Sequence, residues 1–374
     1  MNRIPMIGEL APWFHAHALD GNSRYAFDTA AGRWIVMLFA GQLGRPEFAP
    51  VLELLAANRD LFDDLNVCFF GVTVDPADVA EGRIAQQLPG VRWFLDYDHA
   101  VSKAYGALGA EGTYQPYWLL LDPLQRVLVR APLSEGPRLL AECRRLAGEP
   151  RGLPAPVLVA PRILSPELCR RLIDLYERQG GEESGFMRDV EGVTTTIVDH
   201  GHKRRADCTI EDEDLLRALK TNLFHLLRPL VQRAFQFDPT RIERWIVACY
   251  DGGSGGYFRP HRDNTTKGTA HRKFAVTINL NAEEYEGGDL CFPEFGPQTY
   301  RAPTGGAVVF SCSLLHEARP VTKGRRYAFL PFLYDDAGAR LRERNLAHVS
   351  PELQNYRSGL PAEDAPQDPE VTSP

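Results

Sequence analysis

The chain has 374 residues, room for two or three domains at about 100–200 residues each. Its 42 Lys+Arg stand against 49 Asp+Glu, a net charge of −7, which argues against a protein held on nucleic acid or an anionic membrane by bulk charge. With 44% hydrophobic and 24% charged residues it has apolar material for two cores, and wholesale disorder is excluded.

No apolar run approaches the ~18–20 residues of a membrane helix. The longest, Trp34–Ala40, has strand length, and Glu9, His15, His17 and Asp20 interrupt any signal-peptide core. The seven cysteines form no C-x-x-C pair and read as scattered reduced thiols. The expectation is a cytoplasmic protein with no membrane and no nucleic-acid partner.

Residues 1–149 alternate short apolar runs with helical patterns. Trp34–Ala40 and Val67–Asp75 are rich in β-branched and aromatic residues and predict strands buried on both faces. Between them, Val51, Leu52, Leu55, Leu61 and Phe62 follow helical spacing. Strand, helix, strand implies a right-handed crossover and parallel strands. Tyr117–Asp122 and Arg126–Ala131 read as a hairpin around Pro123-Leu124-Gln125, and Glu135–Leu146 as a closing helix. This order resembles the peroxiredoxin branch of the thioredoxin-like fold. The matching stretches are Gly8-Glu-Leu-Ala-Pro12-Trp-Phe, the strand end at Phe39, Val72-Thr-Val-Asp75 and Phe94-Leu-Asp96. The resemblance also puts a cis-proline at Gln115-Pro116. The chemistry does not follow, because a peroxiredoxin needs a low-pKa thiolate after the first strand and Phe39–Phe48 holds no cysteine. The expected role is substrate recruitment or dimerisation, with thiol-redox chemistry as the alternative.

Residues 150–161 are a Pro-rich linker, within a stretch (148–161) that holds four prolines. Residues 341–374 read as a mobile, Pro-rich acidic tail. Between them, 162–340 form the second domain. Ser165-Pro166-Glu167 is a helix start, followed by a face of Leu168, Leu172, Leu175 and Tyr176. Asp214–Phe235 predicts a longer helix bent at Pro229. Short strand-like runs follow: Trp245–Tyr250, Phe274–Leu280, Asp289–Phe292, Gly306–Phe310 and Tyr327–Tyr334. Helices followed by a jelly roll is the predicted order.

Three features of this β region belong together. His261-Arg262-Asp263 on an extended segment points both ligand side chains to one face. His316 closes a strand-like run 53 residues after Asp263, and Arg326 lies ten residues further on. Two imidazoles and a carboxylate suit a non-haem Fe(II) facial triad, whose open positions take a bidentate co-substrate and O₂. An Arg fork suits the far end of a dicarboxylate.

Residues 158–335 resemble a 2-oxoglutarate- and Fe(II)-dependent dioxygenase of the prolyl 4-hydroxylase-like group. The matching stretches are Tyr250-Asp-Gly-Gly…Tyr257-Phe-Arg-Pro-His261-Arg-Asp263, Phe274–Asn281, Gly287–Phe292, Pro303–Phe310 and His316-Glu-Ala-Arg-Pro-Val-Thr-Lys-Gly-Arg-Arg-Tyr327. The resemblance implies a double-stranded β-helix with His261, Asp263 and His316 on iron. It implies Arg326 on the C5 carboxylate of 2-oxoglutarate, with Tyr250 and Asn279 in the cofactor pocket. It implies decarboxylation of 2-oxoglutarate to succinate and CO₂ with hydroxylation of a substrate C–H bond, L-ascorbate being associated with such enzymes. The retained Asp263 favours hydroxylation over halogenation. The substrate is expected to be a peptide or a small molecule, and a homodimer is compatible. Arg325, Lys203-Arg204-Arg205, His200, His202 and His271 read as solvated, with substrate contact the other reading of the basic run. Asp289 reads as turn chemistry.

Overall fold

The computed structural model describes residues 3–19, 21–351, 354, 356, 357 and 359. By packing, the chain divides into two units. The first holds Met1–Ala155 with the short segments Leu290–Tyr300 and Leu314–Ala318, and the second holds the remainder from Pro156.

The first unit is built on a five-stranded sheet in the order Val91–Leu95, Val67–Thr73, Trp34–Gly41, Tyr117–Leu121, Val127–Ala131. The first two ladders are parallel and the last two antiparallel, as in a thioredoxin-like fold. The apolar runs are continuous because both faces are covered. Val36, Leu38 and Ala40 enter one core; Ile35, Met37 and Phe39 enter the other. Gln115 donates its N–H to Ala107 O at 2.7 Å as the chain runs into Tyr117–Leu121, and the cis bond among the described residues is Leu88-Pro89, a correction to the expected Gln115-Pro116.

The turn after Trp34–Gly41 is closed from inside. Asp78 is fully buried; its carboxylate accepts the Leu43 N–H at 3.2 Å, the Thr73 hydroxyl at 2.5 Å and Arg83 Nη1 at 3.0 Å. Cys68 sits within Val67–Thr73, fully buried, and burial pushes its thiol up to about 11.

In the second unit the helix Pro166–Gln179 starts as predicted, with Ser165 Oγ accepting the Leu168 N–H at 3.2 Å. Its Leu168, Cys169, Leu172 and Leu175 join a core that takes Val247, Val276, Ile278 and Phe329 from the larger sheet. That sheet runs Arg241–Glu243, Phe332–Tyr334, Phe274–Asn279, Arg325–Phe329, Ile246–Asp251, Ala206–Thr209, Glu182–Glu183, and Ala307–Ser311 pairs with Phe274–Asn279. A smaller sheet, which includes strands from the segments Leu290–Tyr300 and Leu314–Ala318, runs Lys203–Arg204, Tyr257–His261, His316–Ala318, Leu290–Cys291, Thr299–Tyr300. The two sheets form a double-stranded β-helix. Pro331 splits the predicted Tyr327–Tyr334 run into Arg325–Phe329 and Phe332–Tyr334.

The predicted long helix is Glu213–Asn222, a π-helical turn Leu223–Leu227, then Arg228–Phe235. The buried residues Leu215, Leu219, Leu223, Leu227 and Val231 repeat every fourth position. In an α-helix of 3.6 residues per turn, each such step overshoots by about 40°. The wider π turn takes up the overshoot, and it lies just before Pro229, which cannot donate an N–H.

Two expected boundaries move. Leu158–Ala160 leaves the linker and pairs with Ala307–Ser311, because three apolar residues can complete that ladder. The tail expected from residue 341 begins inside the helix Asp336–Arg344, continues through a 3₁₀ turn Asn345–His348 and buries Val349. Asp335 caps that helix by accepting the Gly338 N–H at 2.7 Å. The rest of the expected tail, apart from residues 350, 351, 354, 356, 357 and 359, lies outside the described residues.

Candidate active site

His261 ends the strand Tyr257–His261, and Asp263 follows two residues on, its N–H held by Cys312 O at 3.0 Å. His316 opens the strand His316–Ala318. Ligand atoms of these three side chains lie within 4.8 Å of one another, and His261 Nε2 is 3.6 Å from Asp263 Oδ1. The two histidines are set by the same local device. His261 Nδ1 lies 2.7 Å from Arg259 O, and His316 Nδ1 lies 3.0 Å from Leu314 O. A carbonyl only accepts, so each Nδ1 carries the proton and Nε2 is the nitrogen left to face a cation. Phe258 stacks on His261 with ring centres 3.5 Å apart, and Phe292 lies 6.3 Å from His316. Burial lowers the proton affinity of His202, whose ring is 6.4 Å from that of His261.

Tyr250 and Arg326 are directly opposed across the antiparallel pair Ile246–Asp251 and Arg325–Phe329, so their side chains share a face. The Arg326 guanidinium carbon is 5.0 Å from the Tyr250 ring centre. Arg326 is only 2% exposed, yet among the described residues its Nε and Nη1 have no hydrogen-bond partner. Asn279, opposite Ala328, lies on the same face, also 2% exposed; its Nδ2 donates to Ala302 O at 2.7 Å and its Oδ1 has no partner. The Tyr285 hydroxyl is a further buried atom without one. Gly288, at φ +70°, makes room for this group: a Cβ there would sit 3.1 Å from Arg326 Cδ and 3.4 Å from Tyr285 Cε2.

A buried guanidinium without a protein counter-charge is costly. The arrangement fits an anionic guest that supplies the missing acceptor. The three ligands fit a divalent ion of borderline character held by two imidazoles and one carboxylate. The sequence-predicted residues His261, Asp263 and His316 thus come together as one cluster, and Tyr250, Asn279 and Arg326 share one interior face.

Several residues read as solvated are not. Lys203 and Arg205 are buried, whereas Arg204 between them is exposed, since strand periodicity alternates the faces. Lys203 Nζ donates to Ser184 Oγ at 2.6 Å and Gly185 O at 2.5 Å and lies 4.9 Å from the Phe258 ring centre. Burial, reinforced by Arg205, pushes Lys203 down to about 5. Arg205 forks onto Asp207 at 2.7 and 2.6 Å, and its Nη1 donates to the Tyr250 hydroxyl at 3.4 Å. Burial works against the Asp207 charge, but Arg205 and Arg244 outweigh it and hold the carboxyl down to about 2.

His271 is 1% exposed, its Nε2 2.9 Å from Glu243 Oε2. Glu243 also takes Arg272 at 2.5 Å and Arg342 at 2.9 Å; burial raises its carboxyl, yet Arg272 above all holds it well below the usual range. His202 is half-buried and packs on Phe186 at 4.5 Å and Phe258 at 5.5 Å. Arg325 is exposed and pairs with Glu177 and Asp251, and Asp289 accepts from Arg301 Nε at 2.5 Å. Sequence reasoning missed Tyr285 and Arg301 and read the buried Arg205 as solvated. The one local signal for Tyr285 is its place two residues before Gly287-Gly288, whose positive φ angles fix the loop.

Residues 245–334 match the 2OG-Fe(II) oxygenase superfamily, and residues 7–130 match the AhpC/TSA family. A PKHD-type hydroxylase of Verminephrobacter eiseniae is 30% identical over 159 residues, covering 37% of this chain and 66% of that protein. A second, from Synechococcus, is 32% identical over 123 residues, covering 31% of this chain and 50% of that protein. The chain therefore spans less than two thirds of the length of these curated relatives. A solved structure described as a prolyl hydroxylase in complex with a hypoxia inducible factor peptide fragment, from Trichoplax adhaerens, is 19% identical with a TM-score of 0.41, covering 50% of this chain and 86% of that chain.

Proposed function

We propose that this protein is an Fe(II)- and 2-oxoglutarate-dependent dioxygenase of the 1.14.11 type that hydroxylates a C–H bond of a peptidyl, amino-acid or other small-molecule substrate. The observation that carries the reading is the pairing of a His261–Asp263–His316 cluster with a buried, counter-ion-free Arg326. When bound, iron with 2-oxoglutarate and O₂ supplies the oxidising power, through decarboxylation to succinate and CO₂.

The protein's own contribution is placement. His261, Asp263 and His316 would hold the metal on one face. The backbone carbonyls of Arg259 and Leu314 keep both rings in the ligating tautomer. Arg326 would hold the far carboxylate of 2-oxoglutarate, with charge-assisted bonds to its two partnerless nitrogens. Tyr250 lies beside it and accepts from Arg205, so its own hydroxyl proton is directed elsewhere. Phe258 and Phe292 would keep water from the histidines. Asp263 occupies the position a halide would need, which favours hydroxylation.

We assign the thioredoxin-like unit to substrate recruitment or homodimer formation. The thiol-redox reading gains no support from Cys68, fully buried with its thiol pushed up to about 11. Seven buried free cysteines suit a reducing, cytoplasmic setting, and no described helix is long and apolar enough to cross a membrane.

The test is anaerobic. Fe(II) and 2-oxoglutarate added to the metal-free protein should give the weak visible band of a chelated keto acid. The band should vanish in His261→Ala and weaken in Arg326→Ala. Folded wild-type protein without the band would overturn the reading. A positive result opens a substrate screen by succinate release over prolyl peptides and free amino acids.

A further inference from the structure

Beside Arg326 lies one more buried polar group. The Tyr285 side chain is 5% exposed, and its hydroxyl is buried without a hydrogen-bond partner. It lies beside Arg326, both side chains packing against the same glycine, Gly288, and the guanidinium works to lower its proton affinity. Burial works the other way and keeps the phenol above its ordinary value, so it stays protonated and offers a donor.

The ring is fixed in place. Arg301 lies over it at 4.3 Å, donates through Nη1 to Ala282 O at 3.0 Å and Tyr285 O at 3.1 Å, and through Nη2 to Gly287 O at 2.5 Å. One guanidinium thus clamps the whole Ala282–Gly287 loop. Asn281 ties that loop to the neighbouring strand by donating to Arg325 O at 2.9 Å and accepting the Tyr327 N–H at 3.0 Å, on either side of Arg326.

Asn279 is oriented less favourably for this work. Ala302 O is an acceptor, so Nδ2 must be the atom facing it, and the remaining Oδ1 is itself an acceptor. An acceptor repels a carboxylate. The pocket therefore has one uncommitted cation and one uncommitted hydroxyl donor, both buried and adjacent.

We propose that Tyr285 is a cofactor-positioning residue whose hydroxyl donates to the far carboxylate of 2-oxoglutarate beside Arg326, so that this chain recognises that carboxylate through the Tyr285–Arg326 pair. This rests on the pocket being the 2-oxoglutarate site.

The experiment titrates two keto acids into Mn(II)-loaded protein by calorimetry, where no turnover intervenes. One is 2-oxoglutarate; the other is 2-oxobutyrate, which has the same metal-binding head but no far carboxylate. Wild type is compared with Tyr285→Phe, which keeps the ring and its packing. The melting midpoint and Mn(II) affinity of the variant report its fold. The variant should bind 2-oxoglutarate about tenfold more weakly, the scale of a lost bond to a charged group. Its affinity for 2-oxobutyrate should be unchanged. Equal 2-oxoglutarate affinity in both proteins would show that the hydroxyl is not used. Parallel weakening of both keto acids would reduce Tyr285 to a structural part. Both results overturn the inference while leaving the cofactor site standing. Wild type that binds Mn(II) but no 2-oxoglutarate would remove the site and the inference together.

Discussion

Asp78 and Arg326 are both buried charges, one in each unit, and they end differently. Asp78 sits beneath the turn where a peroxiredoxin would keep its reactive thiolate. Every acceptor direction it offers is taken by Leu43, Thr73 and Arg83. Arg326 sits on an interior strand and has Nε and Nη1 without partners. The first unit satisfies its buried charge with its own hydrogen bonds. The second has left a charge open at a structural cost that a ligand can offset. Unsatisfied polarity is therefore more informative about function than burial or fold likeness, because folding alone does not favour it.

The largest effect that would test this contrast lies at the His261–Asp263–His316 cluster. His261→Ala or Asp263→Ala should lower 2-oxoglutarate turnover by about three orders of magnitude, read as succinate release. Turnover near wild type in either variant would remove the reading of the second unit as the working one.

Next come two stability changes of opposite sign. Asp78→Ala should destabilise the protein by about 2–4 kcal/mol, because the buried Leu43 N–H and Thr73 hydroxyl lose an acceptor. Arg326→Met should instead stabilise the ligand-free protein by about 1–4 kcal/mol, since it removes an uncompensated charge. Urea unfolding midpoints measure both. A destabilised Arg326→Met protein would mean that the guanidinium is already satisfied, and the contrast would be lost.

A smaller effect concerns Lys203, held mainly by neutral groups and pushed down to about 5 from its ordinary 10.5. Between those values the unfolded chain binds a proton that the folded chain does not. This group therefore makes stability rise with pH across that window, by up to about 1.4 kcal/mol per unit. Lys203→Met should flatten the slope relative to wild type, measured from urea midpoints at two pH values. An unchanged slope would mean that Lys203 stays charged. The smallest expected effect is at Cys68, where Cys68→Ala should leave peroxide consumption at background, measured with a thiol reductant.

Much of this was legible in the sequence, and the reason is periodicity. H-x-D on an extended segment, a His closing the next strand and an Arg on the return strand are local patterns whose spacing fixes which face each side chain takes. The apolar runs of the first sheet were legible for the same reason. Lys203 and Arg205 were read as solvated because a basic run in a sequence looks like surface. Their acceptors, Ser184 and Asp207, are brought together only by the ladders. His271 was misread likewise, since its partner Glu243 arrives from another strand. Tyr285 stayed invisible because its hydroxyl is meaningful only beside Arg326, and the loop that puts it there is clamped by Arg301 from across the fold. The part of the expected tail that folds, up to Val349, was hidden by its charges and by the prolines that follow it.

The π-helical turn at Leu223–Leu227 works like a gear with one extra tooth, keeping two helical segments meshed with the same core. Winding Leu223–Leu227 as ordinary α-helix without changing its length would turn the second segment by several tens of degrees relative to the first. Leu227 and Val231 would then leave the core. That segment feeds the strand Arg241–Glu243, whose Glu243 holds Arg272, and Arg272 Nη1 reaches Asp263 O at 3.5 Å. A change of winding far from Asp263 would thus travel along a mechanical train to it, so this helix should tolerate replacements that keep the wide turn far better than ones that remove it.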